Sequence, residues 1–419
     1  MENTSYRAFF ILLALLLSVP PILNAFRFRD TKDYTLWYDV GQRVLHGESL
    51  YPVDGSEFPF LYPTLPAVLC APLSLFSFPV FVGILALANG LAWWGSIVYS
   101  VRLATGKTTG QPVFLYLIPT IVSLPFVWDT YLLGQVNIVL LFMLLASFVA
   151  LRENGPVKAG LWISLAAAIK AFPIMAAGWL VWRRQWRALA GMLAGLGLFL
   201  LVLPGCVRGF EYNLREMTTW FQGMVGRQSA VELGQRSEIS FSYRNQSLKS
   251  VTHRLLRPVI AGDVKGETFT VNVLSLSPVA AEVVFWGIGL VMCLAFVLKM
   301  RRMNPADPGN RALEQAMLLC LIVLFSPLAW TYFYCWLLFP VTVAANSLFG
   351  MEPGPRRRWL GALALAALLV MASALTQAFN FQWTQAVGAT AWGAVLMFTL
   401  LALLGSAPEH RGNVCRESI

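Results

Sequence analysis

What most constrains this chain is a recurring pattern. Apolar runs of about 20 residues, the length that crosses a bilayer as a helix, alternate with short polar connections. Candidate crossings are 9–26, 79–101, 112–128, 135–151, 188–205, 280–299, 312–327, 332–349, 359–377 and 386–405. Their even number puts both termini on one side. Two stretches fit less well. The run 64–78 contains Pro66 and Pro72. The stretch 159–182 carries Lys170 and Pro173 at its middle, with Lys158 before it and Arg183 and Arg184 after it. Each half of it is long enough for only about 18 Å of helix. It therefore reads as a broken pair, 159–170 and 171–182, that enters and returns with Lys170 near mid-bilayer. The expected fold is all-α, a polytopic transmembrane helical bundle forming one domain over 1–419.

Composition agrees with lipid as the main solvent. Hydrophobic residues make up 57% of the chain and charged residues 12%, about half the charge of a typical soluble domain. Disorder, collagen and coiled coil are excluded by the same figures. The first apolar run, Phe9–Phe26, is followed by no small-x-small cleavage pattern and reads as a retained helix.

Charge on the short loops sets the orientation. Arg7; Arg102 and Lys107; Arg152 and Lys158; Arg183, Arg184 and Arg187; Lys299, Arg301, Arg302 and Arg311; Arg356 to Arg358; and Arg411 and Arg416 all fall on one face, which reads as cytoplasmic. This bias also accounts for the net charge of +10 without nucleic acid as a partner. The opposite, outer face then carries two long polar segments, 27–63 and 206–278, and short connections at 129–134, 328–331 and 378–385. A site is expected there, because long loops in a compact protein are commonly functional. The chain reads as a multi-pass bacterial inner-membrane protein with that site on the outer side.

Several chemistries are absent. The six cysteines show no C-x-x-C spacing, and His46, His253 and His410 form no zinc motif. No P-loop, Gly-rich dinucleotide turn or G-x-S-x-G is present.

The candidate residues lie on the outer side. From Tyr34 to Leu45, Leu36, Trp37, Val40 and Val44 recur at helical spacing, as in an amphipathic helix lying on the membrane surface. Asp33 precedes it in N-cap position and Gly47 ends it. Asp33 is either that cap or a partly desolvated carboxylate able to take a proton from a hydroxyl. Lys170 is costly inside a membrane, about 2.5–3.5 kcal/mol at its centre, and such residues mark function or else snorkel. Gln135 and Asn137 in Gly134-Gln135-Val136-Asn137, and Asn245 and Gln246 in Ser242–Leu248, suit sugar hydroxyls, because amides both donate and accept. Arg244 and Arg29 suit a phosphate. Trp330 and Tyr332 close a span on the same face. A transporter or lipid flippase also uses broken helices and a mid-membrane Lys. That class is disfavoured by the lack of internal repeats and by polar residues gathered on one face.

Five features stand in order: Asp33-Tyr34 with Tyr38 and Gly47 to Tyr51; Tyr62-Pro63 with Pro66 and Pro72; Gly134-Gln135-Val136-Asn137; Ala167 to Pro173 followed by Trp182-Arg183-Arg184; and Asn245 to Leu248 with Ser326-Pro327 and Trp330. This series resembles glycosyltransferase family 87 of the GT-C superfamily, from about residue 7 to about 405. The resemblance implies a GT-C-type membrane fold. It also implies transfer of a hexose, mannose by family precedent, from a polyprenyl-phosphate sugar to a lipid-linked or cell-envelope acceptor. Asp33 matches the family's catalytic base in the first outer loop. Lys170 and the Asn245–Leu248 string match motifs near the site. Ala329 stands where the family commonly has Ser, and Tyr332 and Phe333 where it commonly has a His pair. No cofactor beyond the lipid-linked donor is expected, since cationic side chains can steady the departing phosphate. Asp30 with Asp33 leaves a divalent metal possible but not required.

Overall fold

The computed structural model describes residues 4–27, 31–52, 58, 60–107, 109–229, 231, 233, 240–264, 266–373, 375 and 382–405. Arg29 and Asp30 lie outside the described residues, as does most of 374–381. The described chain is helical throughout except for one small hairpin. Six of its helices are long and apolar enough to cross a membrane: Thr4–Phe26, Phe78–Thr105, Phe114–Leu133, Trp186–Arg208, Pro278–Arg301 and Thr331–Phe349. Shorter apolar helices fill the spaces between them, and the protein is a multi-pass membrane protein.

In chain order, α1 is Thr4–Phe26, α2 Asp33–His46, α3 Thr64–Cys70, α4 Phe78–Thr105, α5 Phe114–Leu133, α6 Asn137–Arg152 and α7 Pro156–Ile169. After a 3-10 turn at Phe172–Met175 come α8 Ala176–Trp182, α9 Trp186–Leu196, a π-helical stretch at Gly197–Val202, α10 Leu203–Arg208 and α11 Phe210–Trp220. Then follow α12 Leu248–Leu256, the hairpin β1 Gly262–Val264 and β2 Glu267–Phe269, α13 Pro278–Arg301 and α14 Pro308–Phe325. A 3-10 segment at Thr331–Leu337 leads into α15 Leu338–Phe349, and α16 Pro355–Ala372, α17 Trp383–Ala386 and α18 Ala389–Leu403 complete the bundle.

Several expectations need correction. Asp33 is the first residue of α2, not its cap. Lys32 occupies the cap with a φ of 54°, and no side chain caps the helix. The apolar face of α2 does not lie on lipid. Tyr34, Trp37, Val40 and Val44 are buried under a shell of Leu50, Tyr51, Phe58, Phe60 and Tyr62 with Phe81 and Val82. Enough aromatic surface follows α2 in the chain to cover it with protein. The connection 129–134 is not a loop, because α5 continues to Leu133 and stops at Gly134, whose φ is 74°. The described parts of the 206–278 segment are largely helical, and they bind the 27–63 segment. Glu216 accepts from the backbone N–H of Leu50 at 2.8 Å and pairs with Arg208 at 2.8 Å, while Trp220 donates to the Leu61 carbonyl at 3.0 Å.

The stretch 159–182 is broken at Lys170, and the chain reverses there. α7 climbs beside α6, and α8 comes back so that Trp179 and Arg183 both donate to Glu314 near the start of α14, at 2.8 and 2.5 Å. The turn at Lys170 is set by the start of the neighbouring helix. α7 has 14 residues, about 21 Å of rise, and Lys170 ends level with Asn137, the first residue of α6. α7 reaches this height packed tightly on α9. A Cβ on Gly160 would come within 2.1 Å of the Ala188 carbonyl, so only a glycine lets these backbones approach so closely.

Candidate active site

The site is assembled at the turn between α5 and α6. Gly134 ends α5 in the left-handed region, which reverses the chain and carries Gln135 inward. α2 is fastened across this turn. Tyr34 donates its hydroxyl to the Tyr131 carbonyl at 2.9 Å, and the Trp37 indole N–H donates to the Gly134 carbonyl at 2.8 Å. A Cβ on Gly134 would meet the Tyr34 ring at 2.6 Å, so the close approach of α2 depends on the missing side chain as well as on φ. Asn89 on α4 donates to the Gln135 carbonyl at 3.0 Å and fixes the turn from behind.

Gln135 is fully buried, and its side-chain amide works at both ends. Its Nε2 donates to the Asp33 carboxylate, and its Oε1 accepts from Lys170 Nζ at 2.9 Å. Lys170 also donates to Asn137 Oδ1 at 2.8 Å. The break between α7 and the following 3-10 turn makes this possible, because Lys170 adopts extended backbone there and aims out of the helix line. The ammonium is walled by three rings. Tyr62, Tyr332 and Phe333 have their centroids 5.1, 5.2 and 4.4 Å from Nζ. Ring faces are electron-rich, and each such contact is worth about 0.5–2 kcal/mol when desolvated. Among the described residues no carboxylate pairs with this ammonium, which is held by two amide oxygens and by aromatic faces. Asn137 Nδ2 lies beside it as a buried donor with no hydrogen-bond partner.

The chemistry available is that of a general base next to a cation. Asp33 is partly exposed and can accept a proton, while Lys170 and the unspent Asn137 N–H can stabilise a developing anion. Gln135 holds the two charges in a fixed relation and keeps the ammonium from quenching the carboxylate directly.

Asp33, Gln135, Asn137, Lys170 and Tyr332 are brought together; of the other described candidates, Arg244, Asn245, Gln246 and Trp330 are not part of this cluster. Asn245 is buried and spends its amide on backbone, donating to the Ser240 and Pro327 carbonyls and accepting from Ser247 and Ala329 N–H groups. Gln246 donates to the Tyr243 and Gln385 carbonyls at 2.5 and 2.7 Å. Asn245 ties the 206–278 segment to the strand-like bridge at Trp330, and Gln246 ties it to Gln385. Arg244 is exposed and donates to the Tyr243 hydroxyl at 3.2 Å. Among the described residues no three His, Cys, Asp or Glu side chains gather as a metal site.

Two residues escaped the sequence reading. Tyr62 was noted only in a Tyr-Pro string, yet its ring covers Lys170 and its hydroxyl reaches Gln135 at 3.4 Å. Arg254 reads as an ordinary loop charge but is fully buried. It donates to the Ala386, Ser242 and Asn245 carbonyls and to the Ser250 hydroxyl at 2.7–2.8 Å. Its only sequence signal is its place in α12, one turn after Ser250.

The sequence pattern of glycosyltransferase family 87 matches residues 60–327, which include Gln135, Asn137 and Lys170. The chain is 24% identical over 404 residues to a polyprenol-phosphate-mannose-dependent alpha-(1-2)-phosphatidylinositol mannoside mannosyltransferase of Mycolicibacterium smegmatis, covering 90% of this chain and 83% of that one. It is 25% identical over 289 residues to a polyprenol-phosphate-mannose-dependent alpha-(1-2)-phosphatidylinositol pentamannoside mannosyltransferase of Mycobacterium tuberculosis, covering 67% of this chain and 56% of that one. The crystal structure of ArnT from Cupriavidus metallidurans bound to undecaprenyl phosphate is a looser likeness, with a TM-score of 0.39 and 15% identity over 96% of this chain and 77% of that chain.

Proposed function

The chain belongs to glycosyltransferase family 87, and from that premise we propose that it moves mannose from a polyprenyl-phosphate donor to a hydroxyl of a lipid-linked or cell-envelope glycan, with Asp33 as general base. The donor and acceptor classes follow the two mycobacterial relatives, whose names specify polyprenol-phosphate-mannose and phosphatidylinositol mannosides. The observation that carries the reading is the shared amide of Gln135, which links a carboxylate and an ammonium through one buried side chain.

In this mechanism the acceptor oxygen attacks the anomeric carbon while the bond from that carbon to the phosphate oxygen breaks. Configuration inverts. The acceptor proton passes to Asp33, and the electron pair of the broken bond stays on the polyprenyl phosphate. That leaving group needs charge stabilisation rather than a proton. Lys170 supplies it, with the free N–H of Asn137 as a second donor. Tyr62, Tyr332 and Phe333 exclude water from the ammonium, which strengthens its field at the phosphate. The positions of Tyr332 and Phe333, where the family commonly has a His pair, serve here as aromatic cover for Lys170. With Lys170 in this role no divalent metal is required.

The site faces the outer side in this reading. Arg102 with Glu153 and Arg183 with Glu314 pair at the far end of the bundle, among the basic loops that favour the cytoplasm. Both termini then lie in the cytoplasm. The test is to incubate membranes containing the protein with radiolabelled polyprenyl-phosphate mannose and, separately, the glucose counterpart. Label moving to the lipid or glycan fraction from the mannose donor supports the proposal. Label remaining in the donor in every case overturns it.

A further inference from the structure

The opposite end of the bundle holds a second cavity, about 280 Å³, lined by Leu103, Phe148, Arg152, Ala306, Pro308, Arg311 and Gln315. It is separated from Lys170 by the length of α6. Asn137 stands at one end of that helix and Arg152 at the other, about 22 Å apart by helical rise. Three features set its chemistry. The first is that neither guanidinium has a carboxylate partner among the described residues. Arg152 donates from Nη1 to the Arg102 and Leu103 carbonyls at 3.2 and 3.3 Å, and Arg311 donates to the Pro305 carbonyl at 3.0 Å. Their remaining N–H groups have no partner among the described residues. Second, the neighbouring acids are already engaged. Glu153 pairs with Arg102, Glu314 with Arg183 and Trp179, and Asp307 caps α14 by accepting from the Gly309 N–H. Third, Gln315 is 1% exposed, and its Nε2 is a buried donor with no hydrogen-bond partner. A buried donor left unpaired is costly, so an acceptor at this point is favoured.

We propose that this cavity binds a phosphate-class anion, held by the two arginine forks and the Gln315 amide. Guanidinium forks match phosphate oxygens in pairs, and an amide N–H supplies the third donor. The remaining walls, Leu103, Phe148, Ala306 and Pro308, are apolar, so the phosphate of an anionic lipid headgroup fits as well as a free phosphate. The volume lies just below the about 300–1,000 Å³ of ordinary small-molecule sites, which suits a headgroup and not a whole lipid-linked sugar. The site is independent of the Asp33–Lys170 cluster and of the glycosyl-transfer reading.

The test uses the full-length protein. Thermal melting in neutral detergent is measured with inorganic phosphate against chloride at equal ionic strength. It is then repeated in phosphatidylcholine nanodiscs with and without phosphatidylglycerol. Stabilisation by phosphate in detergent identifies a soluble-anion site, and stabilisation by phosphatidylglycerol alone identifies a headgroup site; either supports the proposal. Arg311→Gln and Gln315→Leu should each weaken the effect about tenfold, while Arg311→Lys keeps part of it and sugar transfer at the other end is unchanged. No stabilisation of the wild type by either probe, or stabilisation undiminished in folded Arg311→Gln and Gln315→Leu proteins, overturns it.

Discussion

Lys170 donates to Asn137 Oδ1 at 2.8 Å, while the nitrogen of the same amide stays buried without a partner. The cation therefore orients a second donor beside itself. Lys170→Met should remove both the charge and that orientation. The expected loss in kcat is about 10²–10³-fold, the usual cost of a lost transition-state donor. Lys170→Arg should recover little, because the space between Tyr62, Tyr332 and Phe333 is shaped for a compact ammonium rather than a planar fork. Steady-state transfer assays at matched protein level decide both.

Gln135 acts through its neighbours rather than on substrate, so its variants should change pH behaviour as well as rate. Gln135→Leu removes the link between Asp33 and Lys170 and should lower kcat by about 10²-fold. Gln135→Glu places a second acid against Asp33. Like charges raise a carboxyl pKa, so the acid limb of the pH–rate profile should move upward. A profile unchanged in position would contradict the positioning role.

Arg254 is a buried charge satisfied only by carbonyls and a hydroxyl, and it joins α12 to Ala386 and Gln385 beyond α16. Arg254→Met leaves those carbonyls unpaired. The expected loss is about 3 kcal/mol or more of stability, seen as a lower melting temperature. The site geometry should survive in the fraction that folds.

His253 is buried against Phe241, with Nε2 on Glu282 at 3.0 Å and Nδ1 facing Arg257 at 2.9 Å. Lys249 also reaches Glu282, at 2.9 Å. Burial holds the imidazole below its ordinary value of 6.5, Glu282 opposes this and Arg257 adds to it. The unfolded chain thus binds the proton more readily. The stability tied to the neutral, buried imidazole is full above pH 6.5 and is lost as pH falls from there through the lowered value of the folded state. Melting temperatures between about pH 5 and 8 should drop on the acid side in the wild type and flatten in His253→Gln.

What could be read from sequence follows from what is periodic or costly. Apolar runs marked the spans, the break at Lys170 was visible from Lys170 and Pro173, and the order of motifs marked the family. The partners of Lys170 were not visible, because helix length alone does not say where a neighbouring helix begins; the α6 start at Asn137 sets what its ammonium meets. The cap reading of Asp33 failed because an acidic residue before an apolar repeat fits a cap and a first helical residue equally. Arg254 was hidden for another reason. A charge in a polar loop looks solvated until the loop is seen folded over it. Asn245 and Gln246 looked like ligand contacts by type, but an amide satisfies backbone groups just as well.

The central claim is that Asp33 takes the acceptor proton. The direct measurement compares sugar transfer from radiolabelled polyprenyl-phosphate mannose by wild type and Asp33→Asn, in membranes matched for folded protein. Asn is nearly isosteric and still accepts the Gln135 hydrogen bond, so only the basicity is removed. Transfer should fall by about 10²–10⁴-fold, the usual contribution of a general base. Turnover by Asp33→Asn within a fewfold of wild type would contradict the account.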